Sequence, residues 1–228
     1  MHKKFLTACL ALVAFAAMAI GPASASATNA PSLTAPAGTV AAVGSTIVGT
    51  AGETKLLDTN GNAILKCTSA KMSGEVTKNS GGNVEGNITS ATFVGSKEPI
   101  AGEPDKACEG LFNASVTATT PWCLRSTTAM ATDVFNVRGG KCSEAAKGIV
   151  FHLVLGEGTV CTYERSAATG PITGTFTTKT SPAPLTVNAT AAGSGFTKTA
   201  GSFLCPSSGV LQMTFTLENG AGSPAVID

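Results

Sequence analysis

From residue 45 onward the chain is a succession of short runs in which apolar and polar residues alternate, separated by Gly, Pro, Asn and Ser. Alternation with period two gives an extended strand one apolar face, so these runs predict strands and the punctuation predicts turns. The clearest pair is Ile149 to Leu155 and Thr159 to Arg165 around Gly156-Glu157-Gly158, which predicts a hairpin. Asn60-Gly61, flanked by Leu56-Leu57 and Ile64-Leu65, carries the dipeptide that favours a type I′ turn. Lys66 to Thr77 and Val84 to Val94 flank Ser80-Gly81-Gly82 in the same way. Pro121 should interrupt the ladder between Ser115–Thr119 and Trp122–Thr127. Further strands are expected over Thr132–Val137, Thr173–Thr178, Leu185–Thr190, Gly195–Leu204 and Val210–Glu218. Helix propensity is confined to Ser143–Lys147, a turn or two at most. The expected fold is all-β, an antiparallel β-sandwich with a β-barrel as the alternative, of about 10 to 12 short strands. Parallel α/β folds are excluded, because no long run repeats with the helical period outside the N-terminus.

The N-terminus is different. His2-Lys3-Lys4 precedes an apolar run, Phe5 to Ile20, which Gly21-Pro22 breaks before Ala23-Ser24-Ala25-Ser26-Ala27. A basic start, a short apolar stretch and small residues describe a secretory signal peptide of bacterial type, with cleavage expected after Ala27. Leu6-Thr7-Ala8-Cys9 has the form of a lipoprotein box, but the apolar run continues past it. The domain organisation that follows is a signal peptide at 1–27, a flexible N-terminal arm at 28–44, a β domain at 45–219 and a C-terminal tail at 220–228. No second apolar span is expected, and the chain should be secreted, with association to the cell envelope open.

Composition then narrows the function. Charged residues are 13% of the chain and aromatic residues 5%, against roughly 25% charged in an ordinary domain. With Lys3 and Lys4 gone, thirteen basic residues face fourteen acidic ones, so no excess charge is available to gather nucleic acid. A single histidine, His152, remains after the leader.

Removing Cys9 leaves Cys67, Cys108, Cys123, Cys142, Cys161 and Cys205, an even set that suggests three disulfides in an oxidising compartment. No C-x-x-C pair is present, and with one histidine the ligand spacing of a zinc site is lacking. Cys67-Thr68, followed by Gly74-Glu75-Val76-Thr77, parallels Cys161-Thr162, followed by Gly170-Pro171-Ile172-Thr173. Each opens a Thr-rich stretch closed by another cysteine about 40 residues on, Cys108-Glu109-Gly110 or Cys205-Pro206. If the two are related units, the economical pairing is Cys67 with Cys108, Cys161 with Cys205, and Cys123 with Cys142.

Other candidate chemistry is sparse. His152 alternates with Val150 and Val154, the position of a half-buried strand histidine. Asp58-Thr59-Asn60-Gly61-Asn62 places oxygen ligands around a Gly, but Ala63-Ile64-Leu65-Lys66 lacks the glutamate a calcium loop requires. The long loop Lys97 to Gly110 gathers Glu98, Glu103, Asp105 and Glu109, and long loops tend to carry function. Glu103 and Asp105 there, with the lone Trp122, are the candidate recognition residues, although a Trp beside a cysteine also reads as a core plug. Sequons at Asn87, Asn113 and Asn188 carry no weight behind a bacterial leader. No catalytic, cofactor-binding or metal residue is assigned.

The order Cys67, Gly74-x-Val76, Gly86-x-Ile88-x-Ser90-Ala91-x-Phe93-x-Gly95, Cys108 and Pro121-Trp122 resembles a group of small exported bacterial Thr/Gly-rich proteins that includes the activator of alkane oxidation. The resemblance spans Cys67 to Trp122, and this chain departs from it in its length and in carrying Cys123 and Cys142. It implies an extracellular β-protein of the cell surface or matrix without a known catalytic site.

Three functional readings follow. The first is a secreted, non-enzymatic protein with a structural or binding role at the cell surface or in the extracellular matrix, its partner unknown. The second is a carrier of a small apolar ligand, which requires an interior cavity of several hundred Å³. The third is a secreted hydrolase, which requires His152 or two acids in one cleft. A matrix protein that assembles by strand pairing should offer open edge strands.

Overall fold

The computed structural model describes residues 32–35, 39–110, 112–127, 129–130, 133–155, 158–188 and 190–227. The expected signal peptide, with Ala27 and Cys9, lies outside them. Alternation is translated faithfully into strands: β1 (Leu33–Ala35), β2 (Thr39–Val40), β3 (Thr46–Ala51), β4 (Thr54–Leu57), β5 (Ala63–Cys67) and β6 (Ser69–Ser80) come first. Then follow β7 (Asn83–Val94), β8 (Glu109–Gly110), β9 (Ala114–Ala118), β10 (Trp122–Thr127), β11 (Val134–Gly139) and β12 (Ile149–Leu155). The chain ends with β13 (Val160–Arg165), β14 (Ile172–Phe176), β15 (Pro184–Val187), one helical turn α1 (Ala191–Ser194), β16 (Gly195–Ala200), β17 (Ser208–Asn219) and β18 (Val226–Ile227). Every pairing between these strands is antiparallel. The all-β class therefore holds, with more strands than expected because several runs break into two and the chain ends pair as well.

Fifteen strands belong to one hydrogen-bonded sheet. Its ladder runs β17–β15–β14–β11–β10–β7–β6–β3 and returns to β17, a closed circuit of eight strands. A second circuit leaves β17 through β16, β13, β12 and β9, and comes back through β7, β6 and β3. Both are possible because β6, β7 and β17 have 12 residues each, about 40 Å of strand at 3.3 Å per residue. The first half of β17 pairs with β16 and β4, the second half with β15 and β3. Among the described residues, every strand of four residues or more is hydrogen-bonded on both sides.

One apolar cluster fills the interior of both circuits. Phe151 lies near its middle, edge-on to Trp122, Phe93 and Phe196 at centroid distances of 5.4, 5.7 and 5.1 Å. Such edge-to-face contacts add to burial and give the core a fixed arrangement that aliphatic side chains alone would not.

The turns show where local chemistry decides. Gly81 and Gly82 have φ of 58° and 72°, so the two-residue turn with both φ positive sits between β6 and β7. Asn60-Gly61 does not adopt it. Only Gly61 is in that region, at φ 85°, and the connection is a five-residue loop because Asp58 Oδ1 accepts from the amides of Asn60 and Asn62, both at 2.8 Å. That self-capping by an aspartate competes successfully with the tighter turn.

The expected helical segment at Ser143–Lys147 is a correction. Only a single turn forms, with Glu144 N donating to Lys141 O at 3.0 Å, and the segment is braced from outside by Arg138 Nη2, which donates to the carbonyls of Cys142 and Glu144 at 3.1 and 2.9 Å. Helical turns form elsewhere among the described residues, at Ala167–Thr169, where Ser166 Oγ accepts from Thr169 N at 3.2 Å, and at α1, where Thr190 caps the Gly193 amide at 2.9 Å. The arm and the tail also differ from expectation, for β1 joins β2 to β18 in a small sheet. Asn79 acts there as a side-chain strand, accepting from Leu33 N at 2.9 Å and donating to Leu33 O and Ala41 O at 2.7 and 2.9 Å. The sheet seats Leu33 and Ile227 in the core.

Candidate functional site

The three disulfides are Cys67–Cys108, Cys123–Cys142 and Cys161–Cys205, the pairing expected from the internal comparison. Each ties a loop to the ladder: the acidic loop, the crossover after β11, and the loop between β16 and β17.

Trp122 is 2% exposed and donates from Nε1 to Thr119 O at 2.7 Å. Strand alternation sends its side chain inward and Cys123 outward, so the indole is a core residue and presents nothing to a partner. Glu103 and Asp105 are half-buried in the loop from Lys97 to Gly110. The base of that loop is closed by reciprocal Lys97 and Ala107 hydrogen bonds of 3.0 and 3.1 Å, by Cys108, and by a 3.3 Å ion pair between Lys97 and Glu109. It is an ordered, acidic outer loop. Asn87, within a sequon, is 7% exposed and its Oδ1 accepts from Cys142 N at 2.8 Å, a packed role.

His152 is half-buried on the outward face of β12, between Thr117 and Thr162 in register. Its Nδ1 is 3.2 Å from Thr162 Oγ1. A threonine there neither orients an imidazole as a carboxylate does nor carries an activated nucleophile. Asp58, whose carboxyl is held below its ordinary pKa by the Asn62 side chain and then by backbone amides, is occupied by its own turn. Among the described residues, no group of three or more His, Cys, Asp or Glu side chains is placed to hold a metal. No described helix is long and apolar enough to cross a membrane.

Two small cavities lie among the described core residues. A cavity of about 70 Å³ lies among Met72, Val76, Val84, Leu124, Phe215 and Leu217. Another, of about 40 Å³, lies beside Phe93, Phe151 and Phe196. Both fall short of the several hundred Å³ that a carrier requires.

The feature that sequence reading did not single out is the loop from Gly201 to Ser207. Phe203 at its tip is 92% exposed, with Leu204 at 43% and Val160 at 40% beside its anchoring cysteine. Exposure of this kind usually belongs to a loose loop, yet this one is closely held. Cys205 is bonded to Cys161, and Lys198 Nζ donates to Ser202 O and Cys205 O at 3.1 and 3.2 Å. Tyr163 OH donates to Pro206 O at 2.8 Å, and Leu204 N donates to Ser202 Oγ at 3.0 Å. The sequence signal was available in Phe203-Leu204 immediately before a cysteine, but the apolar pair reads equally well as the end of a strand. No family model, no curated protein and no solved structure matches this chain.

Proposed function

We propose that the chain is an exported, non-enzymatic binding module that works at the cell surface or in the extracellular matrix and docks through the tip formed by Phe203, Leu204 and Val160. The observation that carries this reading is a phenylalanine held out in water by a disulfide and several hydrogen bonds. Exposed apolar side chains cost nothing special when scattered, but fixing them in place removes the entropy penalty of binding before a partner arrives. A fluid lipid surface gains little from such fixed geometry. A shaped apolar recess on an envelope protein gains a good deal, and that is the partner assigned here. The short ends of the ladders, two residues each in β2, β8 and β18, favour this side-chain docking over assembly by strand pairing. Three disulfides suit the oxidising space outside the cytoplasm, and the leader supplies the route.

Burying the Phe and Leu side chains would contribute about 1.5–3 kcal/mol each. The test is the distribution of the exported protein between the envelope and the medium in the producing cell, compared with a Phe203→Ser, Leu204→Ser chain. The double variant should unfold at the same denaturant midpoint, because both side chains face water, and should move into the medium. Equal distribution of the two chains would overturn the proposal, as would equal sedimentation of both with protein-free lipid vesicles.

A further inference from the structure

The crossover that carries Cys142 covers the outward face of β10 and β11 and encloses a cavity of about 200 Å³. Its lining includes Arg125, Asn136, Arg138, Lys147 and Arg165, and no acidic residue. In a chain with so few charges, four cations around one cavity are a concentration of positive charge that folding must hold against repulsion. Two of them have acidic neighbours: Glu85 lies 3.4 Å from Arg125 Nε, and Glu144 lies 2.9 Å from Lys147 Nζ. The other two are met by uncharged groups alone. Arg138 donates to the carbonyls of Gly139, Cys142 and Glu144, and Arg165 to those of five residues between Gly170 and Gly195. Among the described residues, the hydrogen bonds of Arg138 run from its terminal nitrogens and leave Nε as a donor, and Arg125, which meets Glu85 in a 3.4 Å ion pair, is half-exposed.

A second observation is independent of charge. Asn136 belongs to the wall of the same cavity; its Oδ1 lies just beneath the surface with no hydrogen-bond partner, and its Nδ2 makes only a weak 4.0 Å contact to Met130 Sδ. A buried acceptor without a donor costs free energy, and a turn of the weakly held amide towards the cavity would let a bound hydroxyl recover it. The cations require an oxyanion, and the amide oxygen requires a donor beside it.

We infer that this cavity is a binding site for a small hydroxylated carboxylate, of the size and chemistry of a single uronic acid. The volume is below the 300–1,000 Å³ of sites for drug-sized ligands, which limits the occupant to about one sugar ring. Guanidinium groups at Arg125 and Arg138 match the two carboxylate oxygens, and the Cys123–Cys142 bond, with Cys123 in the lining, holds the crossover that forms one wall. The site shares no residue with the Phe203 tip, and neither proposal depends on the other.

The test is titration of the disulfide-intact exported chain, followed by ¹H–¹⁵N correlation spectra, with sodium glucuronate, propionate, inorganic phosphate and glucose as probes. Glucuronate should give saturable shifts at the Arg125, Arg138 and Asn136 side chains, weakening as salt is raised, while glucose gives none. Arg125→Gln, at a half-exposed position, should weaken glucuronate about tenfold. Asn136→Ala should bring glucuronate down to the affinity of propionate, which has no hydroxyl to lose. The assignment is overturned by the absence of saturable shifts with glucuronate, by equal binding of glucose, by phosphate binding more tightly than glucuronate, or by unchanged affinity in both variants with native spectra retained.

Discussion

Arg165 offers the sharpest test of how this fold is held. It is 3% exposed, and no carboxylate pairs with it among the described residues. Its guanidinium bridges three segments instead. Nε lies 2.9 and 3.0 Å from Gly170 O and Pro171 O, Nη2 reaches Ala192 O at 2.8 Å, and Nη1 reaches Gly195 O at 3.0 Å and Ala191 O at 3.4 Å. Desolvation lowers its pKa from the ordinary arginine value. In Arg165→Met the carbonyls of exposed Ala191 and Ala192 can return to water. Those of half-buried Gly170, Pro171 and Gly195 largely cannot, and three orphaned acceptors at about 1–1.5 kcal/mol each give a loss of about 3–5 kcal/mol. Arg165→Lys keeps the charge but offers a compact ammonium with three donors in place of the planar fork, so about half of that loss should remain. Urea unfolding with the disulfides intact measures both. A Met variant within about 1 kcal/mol of wild type, or a Lys variant equal to wild type, would refute the bridging role.

Other expectations are more local. Burial pushes the Tyr163 hydroxyl up to about 12 from an ordinary 10.0. Between those values the unfolded chain releases the proton and the folded chain keeps it, so stability is full below the lower value. It then falls by about 1.4 kcal/mol per pH unit as pH rises towards the upper one. Tyr163→Phe should lose about 1 kcal/mol at neutral pH through the unpaired Pro206 carbonyl, and should lack that part of the alkaline slope when denaturant midpoints are compared across pH. Asn79→Ala removes three hydrogen bonds to the N-terminal strand region and should cost about 2–3 kcal/mol, read as lost exchange protection at the Leu33 amide. Gly95→Ala should fail to give soluble protein on refolding, since a Cβ there would run into Ala107 O and the Cys108 backbone; a native-like spectrum for that variant would refute the close approach.

Much of this architecture can be read from the chain because period-two alternation is a local property, and β12 and β13 keep it along their whole length. Closure of the ladder is not local. It depends on β17 exchanging partners halfway along, from β16 and β4 to β15 and β3, and nothing in Val210 to Glu218 marks the exchange. The motif glycines show the same limit: Gly74 and Gly95 are there because a side chain would strike the backbone of Asn87 or Ala107. They therefore report packing and carry no information about activity. The basic cavity was beyond sequence reading for a related reason, since Arg125, Asn136 and Arg138 are brought to Lys147 and Arg165 only by the Cys142 crossover. Charge arithmetic over the whole chain, near neutrality, concealed a local excess.

The disulfides separate stability from recognition in a way that can be measured. Cys67–Cys108 and Cys161–Cys205 span 41 and 44 residues, so in the chain-entropy description each contributes about 4 kcal/mol at most, nearly the same amount. They differ in what they hold, for one closes the base of the acidic loop and the other braces the Phe203 tip. Replacing either pair by serine should therefore lower the denaturant midpoint to a similar extent. Only the Cys161→Ser, Cys205→Ser chain should also release the protein from the envelope into the medium, as is expected of the Phe203→Ser, Leu204→Ser chain, because only that pair fixes the tip before docking. If both pairs abolish retention equally while each chain remains folded by circular dichroism, retention follows global stability and the tip has no special part in it. If neither does, the order imposed on Phe203 is irrelevant to docking, and the acidic loop with Glu103 and Asp105 becomes the surface to test.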